Sequence, residues 1–253
     1  MTATESAKQA RAAIGAQRTS GTPADRPAAA RALAAVLDAA AAGHFPPADG
    51  TVLVLPQPSE RDAGVIALTG YAVVFADADP AWVTAQLPPD DLSAPLSASF
   101  LQKLGERLGI SSHSVDMLTC AGSLPGPVPE GLDLTEIETP ELATAAPVHP
   151  RLARALRYRD EVRAFETAGS LLILGRGVAG RWEVSVEVNP ASRGRGLGVA
   201  LATTARHLVP PGTPLWAQIA PGNAASVRAF LRAGFRPVGA EALLISDLRW
   251  QHD

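Results

Sequence analysis

Apolar and polar positions along this chain repeat with two different periods. Residues 26–42 form an Ala-rich run with Leu33, Val36 and Leu37 at helical spacing, Pro27 in the first turn and Gly43 as the stop, which predicts a helix. Residues 51–55 and 64–76 are rich in Val, Ile and aromatic side chains and predict strands, the second a hairpin that breaks near Gly70. Helices are predicted over 80–87 and 97–108; the latter places Phe100, Leu101 and Leu104 on one face before Gly109. Residues 114–121 alternate as a further strand.

Residues 122–131 hold three prolines and three glycines in ten positions, a composition that sustains neither a helix nor a central strand. A domain boundary is expected there. Beyond it, 132–137 alternates as a strand, 139–158 predicts one or two helices interrupted by Pro147 and Pro150, and strands follow at 162–166, 170–174 and 181–188. A glycine loop, a helix reaching Leu208, a strand at 214–219, a helix from Asn223 and a last strand complete the order. The pattern divides the chain into an arm (1–25), an N-terminal α/β domain (26–121), a linker (122–131) and a C-terminal domain (132–253). Strands interleaved with helices imply a mixed α/β sheet.

Composition narrows the classes. At 253 residues, with 47% hydrophobic and 19% charged positions, the chain can bury one large core or two ordinary ones. The net charge of -3, with both signs scattered, offers no basic face for nucleic acid. The single Cys120 excludes an internal disulfide and a multi-cysteine zinc site and fits a reducing, cytoplasmic setting. No uncharged run is long enough for a membrane span, and no leader segment is expected. His44, His113, His149, His207 and His252 are scattered without ligand spacing, so no metal is expected and none of them is assigned to catalysis.

Two glycine clusters compete for a ligand. Gly175, Gly177 and Gly180 match the spacing of a dinucleotide fingerprint, but the segment after them alternates as a strand instead of opening a helix, which predicts a hairpin turn. The second cluster is Arg193, Gly194, Arg195, Gly196, Leu197 and Gly198, and it runs directly into a helix carrying Leu197, Leu201, Ala205 and Leu208. Glycines there let backbone N–H groups converge on an anion, the helix dipole favours negative charge, and two arginines add donors for phosphate oxygens. This cluster is the candidate pyrophosphate cradle.

Val186 to Pro190 followed by Arg193, Gly196 and Gly198 resembles motif A of the GNAT superfamily of N-acetyltransferases, and Asn223, Ala225, Ser226, Phe230, Gly234 and Phe235 resemble its motif B. The resemblance covers about residues 132–253. It implies a mixed, mostly antiparallel twisted sheet whose fourth strand and following loop hold an acyl-CoA. Acetyl-CoA is the expected co-substrate, and the acceptor a small-molecule or protein amine. By the same resemblance, Val186 and Val188 hold the pantetheine arm, the 193–198 loop holds the pyrophosphate, and Asn223, Ser226 and Phe230 line the arm.

The implied reaction is direct attack of an amine on the thioester in a ternary complex. A backbone N–H at Val188 is the expected oxyanion donor. Glu183 and Glu187, on one face of the strand by period-two alternation, are the candidate bases. Phe230 stands where many family members carry a tyrosine that protonates the leaving thiolate, a departure that leaves a non-catalytic acyl-CoA-binding module as the alternative. The N-terminal domain is expected to cover the acceptor side or to mediate self-association, as in a homodimer.

Overall fold

The computed structural model describes residues 23–129, 131–137 and 149–245. Most of the expected arm, and residues 139–148 of the helical region expected over 139–158, lie outside them. The chain forms two compact units, one built on residues up to Asp116 together with the end of the chain from Gly239, the other on Met117–Val238.

In the first unit, α1 (Arg26–Ala41) buries Ala29, Leu33, Leu37 and Ala40, a single helical stripe. Gly43 follows at φ +84°, a backbone state that only glycine adopts without strain. Strands β2 (Ala63–Leu68) and β3 (Tyr71–Phe75) are the expected hairpin, turning at Gly70 with φ +63°. Strand β1 (Val52–Leu55) pairs parallel with β3, and the end of the chain adds β10 (Arg236–Ile245) antiparallel to β2. Val65, Val74, Ala242 and Leu244 face Val83 of α2 (Pro80–Ala85) and Phe100, Leu101 and Leu104 of α3 (Ala98–Leu108) in one apolar cluster. Ser97 caps α3 by accepting the Phe100 N–H at 3.3 Å.

The second unit orders its strands β4-β9-β8-β7-β6-β5, where β4 is Ser111–Gly122, of which Met117–Gly122 pair here, β5 is Thr135–Ile137, β6 Asp160–Thr167, β7 Ser170–Arg176, β8 Trp182–Glu187 and β9 Pro214–Ile219. All neighbours are antiparallel except β8 and β9, which run parallel. One face packs Leu172, Leu174, Val184, Leu215, Ala217 and Ile219 against Leu201, Ala202 and Ala205 of α5 (Leu197–Ala205) and Phe230 of α6 (Ala224–Arg232). The other face packs Ala164, Leu171 and Ile173 against Leu152 and Ala155 of α4 (Pro150–Tyr158). Alternation along β8 therefore sends Val184 and Val186 towards α5 and Glu183, Ser185 and Glu187 towards α4.

The Pro/Gly stretch at 122–131 does not separate the units, which divide instead within β4 and β10. The stretch is held inside the second unit. Arg206, just past α5, donates Nε–H to the Gly122 carbonyl at 2.8 Å and Nη1–H to the Ala233 carbonyl at 2.7 Å, and its own carbonyl accepts the Leu124 N–H. Local composition marked a place where regular structure stops, and contacts with a residue more than 80 positions away decide which core it joins.

The cluster at Gly175, Gly177 and Gly180 forms the turn from β7 to β8, with a 3-10 turn at Val178–Gly180. A side chain at Gly175 would meet Arg159 Cβ at 2.9 Å, and one at Gly177 would overlap the Glu183 carboxylate. These glycines make room for a buried ion pair, a reason that their spacing does not disclose.

Candidate functional site

Strands β8 and β9 pair at only two positions, Trp182 with Leu215 and Glu183 with Trp216. Beyond Glu183, β8 keeps its ladder with β7 as far as Glu187, and β9 keeps its ladder with β4 as far as Ile219. The two strands therefore diverge over Val184–Glu187 and Ala217–Ile219, leaving backbone groups on facing edges unpaired with each other. Every backbone donor needs an acceptor, so this opening suits an extended polar chain laid along β8.

The glycine loop follows the open end of β8. Asn189 accepts the Ala191 N–H at 3.0 Å and turns the chain, and Gly194 and Gly196 take φ +76° and +85°. Gly196 caps α5 through its carbonyl, which accepts the Val199 and Ala200 N–H groups at 3.0 and 3.1 Å. The N–H groups of Leu197 and Gly198 have no acceptor within the helix by its own geometry. Positive φ at two glycines and a free first turn aim backbone donors outward, as an anion requires. Gly194, Arg195 and Gly196 are exposed, Leu197 and Gly198 half-buried. A Cβ at Gly198 would stand 3.5 Å from Val188 Cγ2 and 3.6 Å from Ala229 Cβ, so the loop, the end of β8 and α6 meet at this residue.

The mixed, mostly antiparallel sheet flanked by helices agrees with the fold class expected from the sequence. No family model matches the sequence, and no curated protein matches it. Solved structures similar to the chain include a GCN5-related N-acetyltransferase from Kribbella flavida, 19% identical, with TM-score 0.36 over 57% of this chain and 63% of that one. A GCN5-related N-acetyltransferase from Sphaerobacter thermophilus is 17% identical, with TM-score 0.36 over 58% and 56%. A tandem GNAT protein from the clavulanic acid biosynthesis pathway is 14% identical, with TM-score 0.36 over 72% and 78%. The chain spans less than two thirds of the length of the first two.

Around this cleft the residues named from sequence separate into groups. Val186, Val188, the 193–198 loop and the start of α6 gather at its mouth on the α5 and α6 side. Arg193 bends back to donate Nε–H to the Val188 carbonyl at 3.2 Å, and Arg195 extends into solvent. Asn223 uses its side-chain oxygen to accept the Ser226 N–H at 3.1 Å, which caps α6 and leaves its amide group for other partners. Phe230 is 6% exposed and packs edge-on against Phe235 with ring centroids 4.9 Å apart. Its place is in the apolar core.

Glu183 and Glu187 point to the opposite, α4 side. Glu183 is 5% exposed and accepts Nε–H bonds from Arg159 at 3.0 Å and Arg181 at 2.8 Å. Burial pushes its pKa up, yet the Arg181 and Arg159 guanidiniums outweigh burial and hold the carboxyl below its ordinary value. Glu187 is half-buried and accepts the Arg151 Nε–H at 2.7 Å, with His149 Nε2 at 3.5 Å. The Arg151 bond, set against some burial, also holds the Glu187 carboxyl below its ordinary value. Both carboxylates are thus anchored by cations and are weak proton acceptors.

The sequence singled out none of Arg151, Arg159, Arg181 and Trp216, which surround the α4 side of β8. Arg159 and Glu183 stand 24 positions apart. No helix or strand period relates them. His149 caps α4 by accepting the Arg151 N–H at Nδ1, 3.2 Å away. Among the described residues no three His, Cys, Asp or Glu side chains gather as a metal site would require, and no helix is long and apolar enough to cross a membrane.

Proposed function

We propose that this chain is an acyl-CoA-dependent N-acyltransferase that moves an acetyl group from acetyl-CoA to a primary amine by direct attack in a ternary complex. The observation that carries this reading is the divergence of β8 from β9 beyond Glu183 and Trp216, with the Gly196-capped start of α5 at its open end. The loop N–H groups of Leu197 and Gly198, with Arg193 and Arg195, take the pyrophosphate. The edge of β8 from Val188 back to Val186 takes the pantetheine arm, and the side chains of Asn223 and Ser226 border it.

In the reaction, the amine nitrogen forms a bond to the thioester carbonyl carbon, whose oxygen takes up the electron pair and is stabilised by a backbone N–H at the end of β8. Collapse of that intermediate breaks the C–S bond and releases the thiolate. Because Glu183 and Glu187 are both held by arginines, the ammonium proton leaves through water, with the exposed edge of Glu187 as the nearer carboxylate. A thiol with an ordinary pKa of about 8.5 leaves as thiolate near neutral pH, so Phe230 in place of a hydroxyl does not stop the step.

A second reading, a non-catalytic acyl-CoA-binding module, is favoured by the same buried Phe230 and by the anchoring of both carboxylates. Titration calorimetry with acetyl-CoA, followed by thiol release with a panel of amines, tests both. Binding with amine-dependent release supports the transferase, binding without release supports the module, and absence of binding removes both. The acceptor is a small-molecule or protein amine and the setting is cytoplasmic; these belong to the same proposal.

A further inference from the structure

We propose that Ser185 is a further catalytic residue, whose hydroxyl accepts a hydrogen bond from the acceptor amine as that amine attacks; the inference rests on the acyl-transfer reading above. Three side chains of β8 face α4, namely Glu183, Ser185 and Glu187. The outer two are fixed. Glu183 is sealed in by Arg159 and Arg181, and Glu187 accepts the Arg151 Nε–H at 2.7 Å with His149 Nε2 3.5 Å away. Ser185 lies half-buried between them, and its hydroxyl, which is not sealed from solvent, bonds to none of the described residues.

The register places this hydroxyl beside the opening in the sheet. On one side Ser185 pairs with Ile173 of β7, a residue with 0% exposure that packs with Leu152 and Ala155 of α4. On the other side β9 is last paired with β8 at Glu183 and Trp216, so Ser185 is the first residue past that point to face α4. Its neighbours on this face are two anchored carboxylates and an apolar core. A half-buried hydroxyl in such a place is completed by whatever enters the gap.

An amine suits that gap. Residues two apart on a strand stand about 7 Å from each other, and one nitrogen with hydrogen bonds of about 3 Å to two acceptors bridges such a span. Ser185 Oγ and the outer edge of the Glu187 carboxylate are the two acceptors, one for each N–H of a neutral primary amine. The nitrogen lone pair is then left for the thioester carbon lying along the edge of β8, an orientation that attack requires. As the N–C bond forms, the nitrogen becomes cationic and its surplus proton leaves through water, while the serine keeps its own. No base bonds to the Ser185 hydroxyl, so it orients the amine and forms no acyl intermediate itself.

The test uses the full chain, acetyl-CoA and the amine of the panel that gives the fastest thiol release. Ser185→Ala removes the hydroxyl, and Ser185→Thr keeps it. In Ser185→Ala, kcat/KM for the amine is expected to fall about tenfold, the size of one lost hydrogen bond to the reacting nitrogen. The acetyl-CoA dissociation constant and any thiol release without amine are expected to stay within about twofold, and Ser185→Thr to keep kcat/KM within about threefold. An unchanged kcat/KM in Ser185→Ala, or an equal loss in both variants, overturns the inference. Loss of acetyl-CoA binding or of amine-free release in Ser185→Ala also overturns it, because the hydroxyl then serves the fold and not the amine. If the unsubstituted chain binds acetyl-CoA but no amine speeds thiol release, the inference falls with the transferase reading and the binding module stands. If that chain does not bind acetyl-CoA, both readings and the inference fall together.

Discussion

The backbone of Gly177 rests against the carboxylate of Glu183, so closely that any β-carbon at Gly177 would overlap it. Because the carboxylate is pinned by Arg159 and Arg181, it has no easy direction in which to yield. Gly177 has φ -100°, so strain in its own backbone is not the issue. Gly177→Ala is expected to cost about 2–4 kcal/mol by displacing a buried ion pair. Gly180→Ala, at φ +76° with open space around it, is expected to cost about 1 kcal/mol from backbone strain alone. Denaturant unfolding of the two variants measures the difference.

Acid stability follows from the same pair. The Glu183 carboxyl is depressed in the folded protein relative to its ordinary value of 4.5. A depressed carboxyl contributes stability that is fully present above the unfolded pKa and is lost as pH falls through the folded one. Stability against denaturant should therefore be flat with respect to this group near neutrality and decline below about pH 4.5, where an unfolded glutamate begins to take up its proton. Glu183→Gln, which carries no titrating proton, should be less stable at pH 7 and show a shallower decline between pH 5 and 3. An unchanged slope would place the acid sensitivity elsewhere.

Loop variants separate cradle from scaffold. Arg195 is exposed, so Arg195→Ala should leave stability within about 0.5 kcal/mol. Its acetyl-CoA dissociation constant should rise about tenfold at low salt and less at high salt, because a charge-assisted phosphate contact is lost and exposed charges are screened. Gly196→Ala forces an alanine into φ +85° and should cost about 1 kcal/mol as well as weaken acetyl-CoA binding. Calorimetry at two ionic strengths tests the pair.

Phe230 offers a sharper test of the chemistry. Its ring is buried against Phe235, so a hydroxyl added by Phe230→Tyr enters the core and not the cleft. The expected result is a loss of about 1–3 kcal/mol in stability with no gain in thiol release. A gain of about tenfold or more in turnover would mean that the position reaches the leaving thiolate after all.

The sequence by itself determined the elements whose signals are local. Helix α1 follows from Leu33 and Leu37, the β2–β3 hairpin from its break at Gly70, and the start of α5 from glycines that run into a helical repeat. The turn at Gly175, Gly177 and Gly180 was also legible, because a strand follows it where a nucleotide fold needs a helix. Each of these readings uses residues within about two turns of one another, where backbone sterics and periodicity act.

Only the tertiary structure decided what the strands do to each other. Glu183 and Glu187 alternate identically in sequence, yet one is sealed between two arginines and the other stays half-buried at the strand end, because α4 brings Arg159 and Arg151 to different depths of the same face. The divergence of β8 and β9, the pairing of Glu183 with Trp216 and the attachment of 122–131 to the second unit all depend on contacts between distant residues. Such contacts leave no period in the chain, since they are fixed by packing of faces and by the need of buried charges for partners. The glycine loop could be read from the residues alone; the cleft it borders could not.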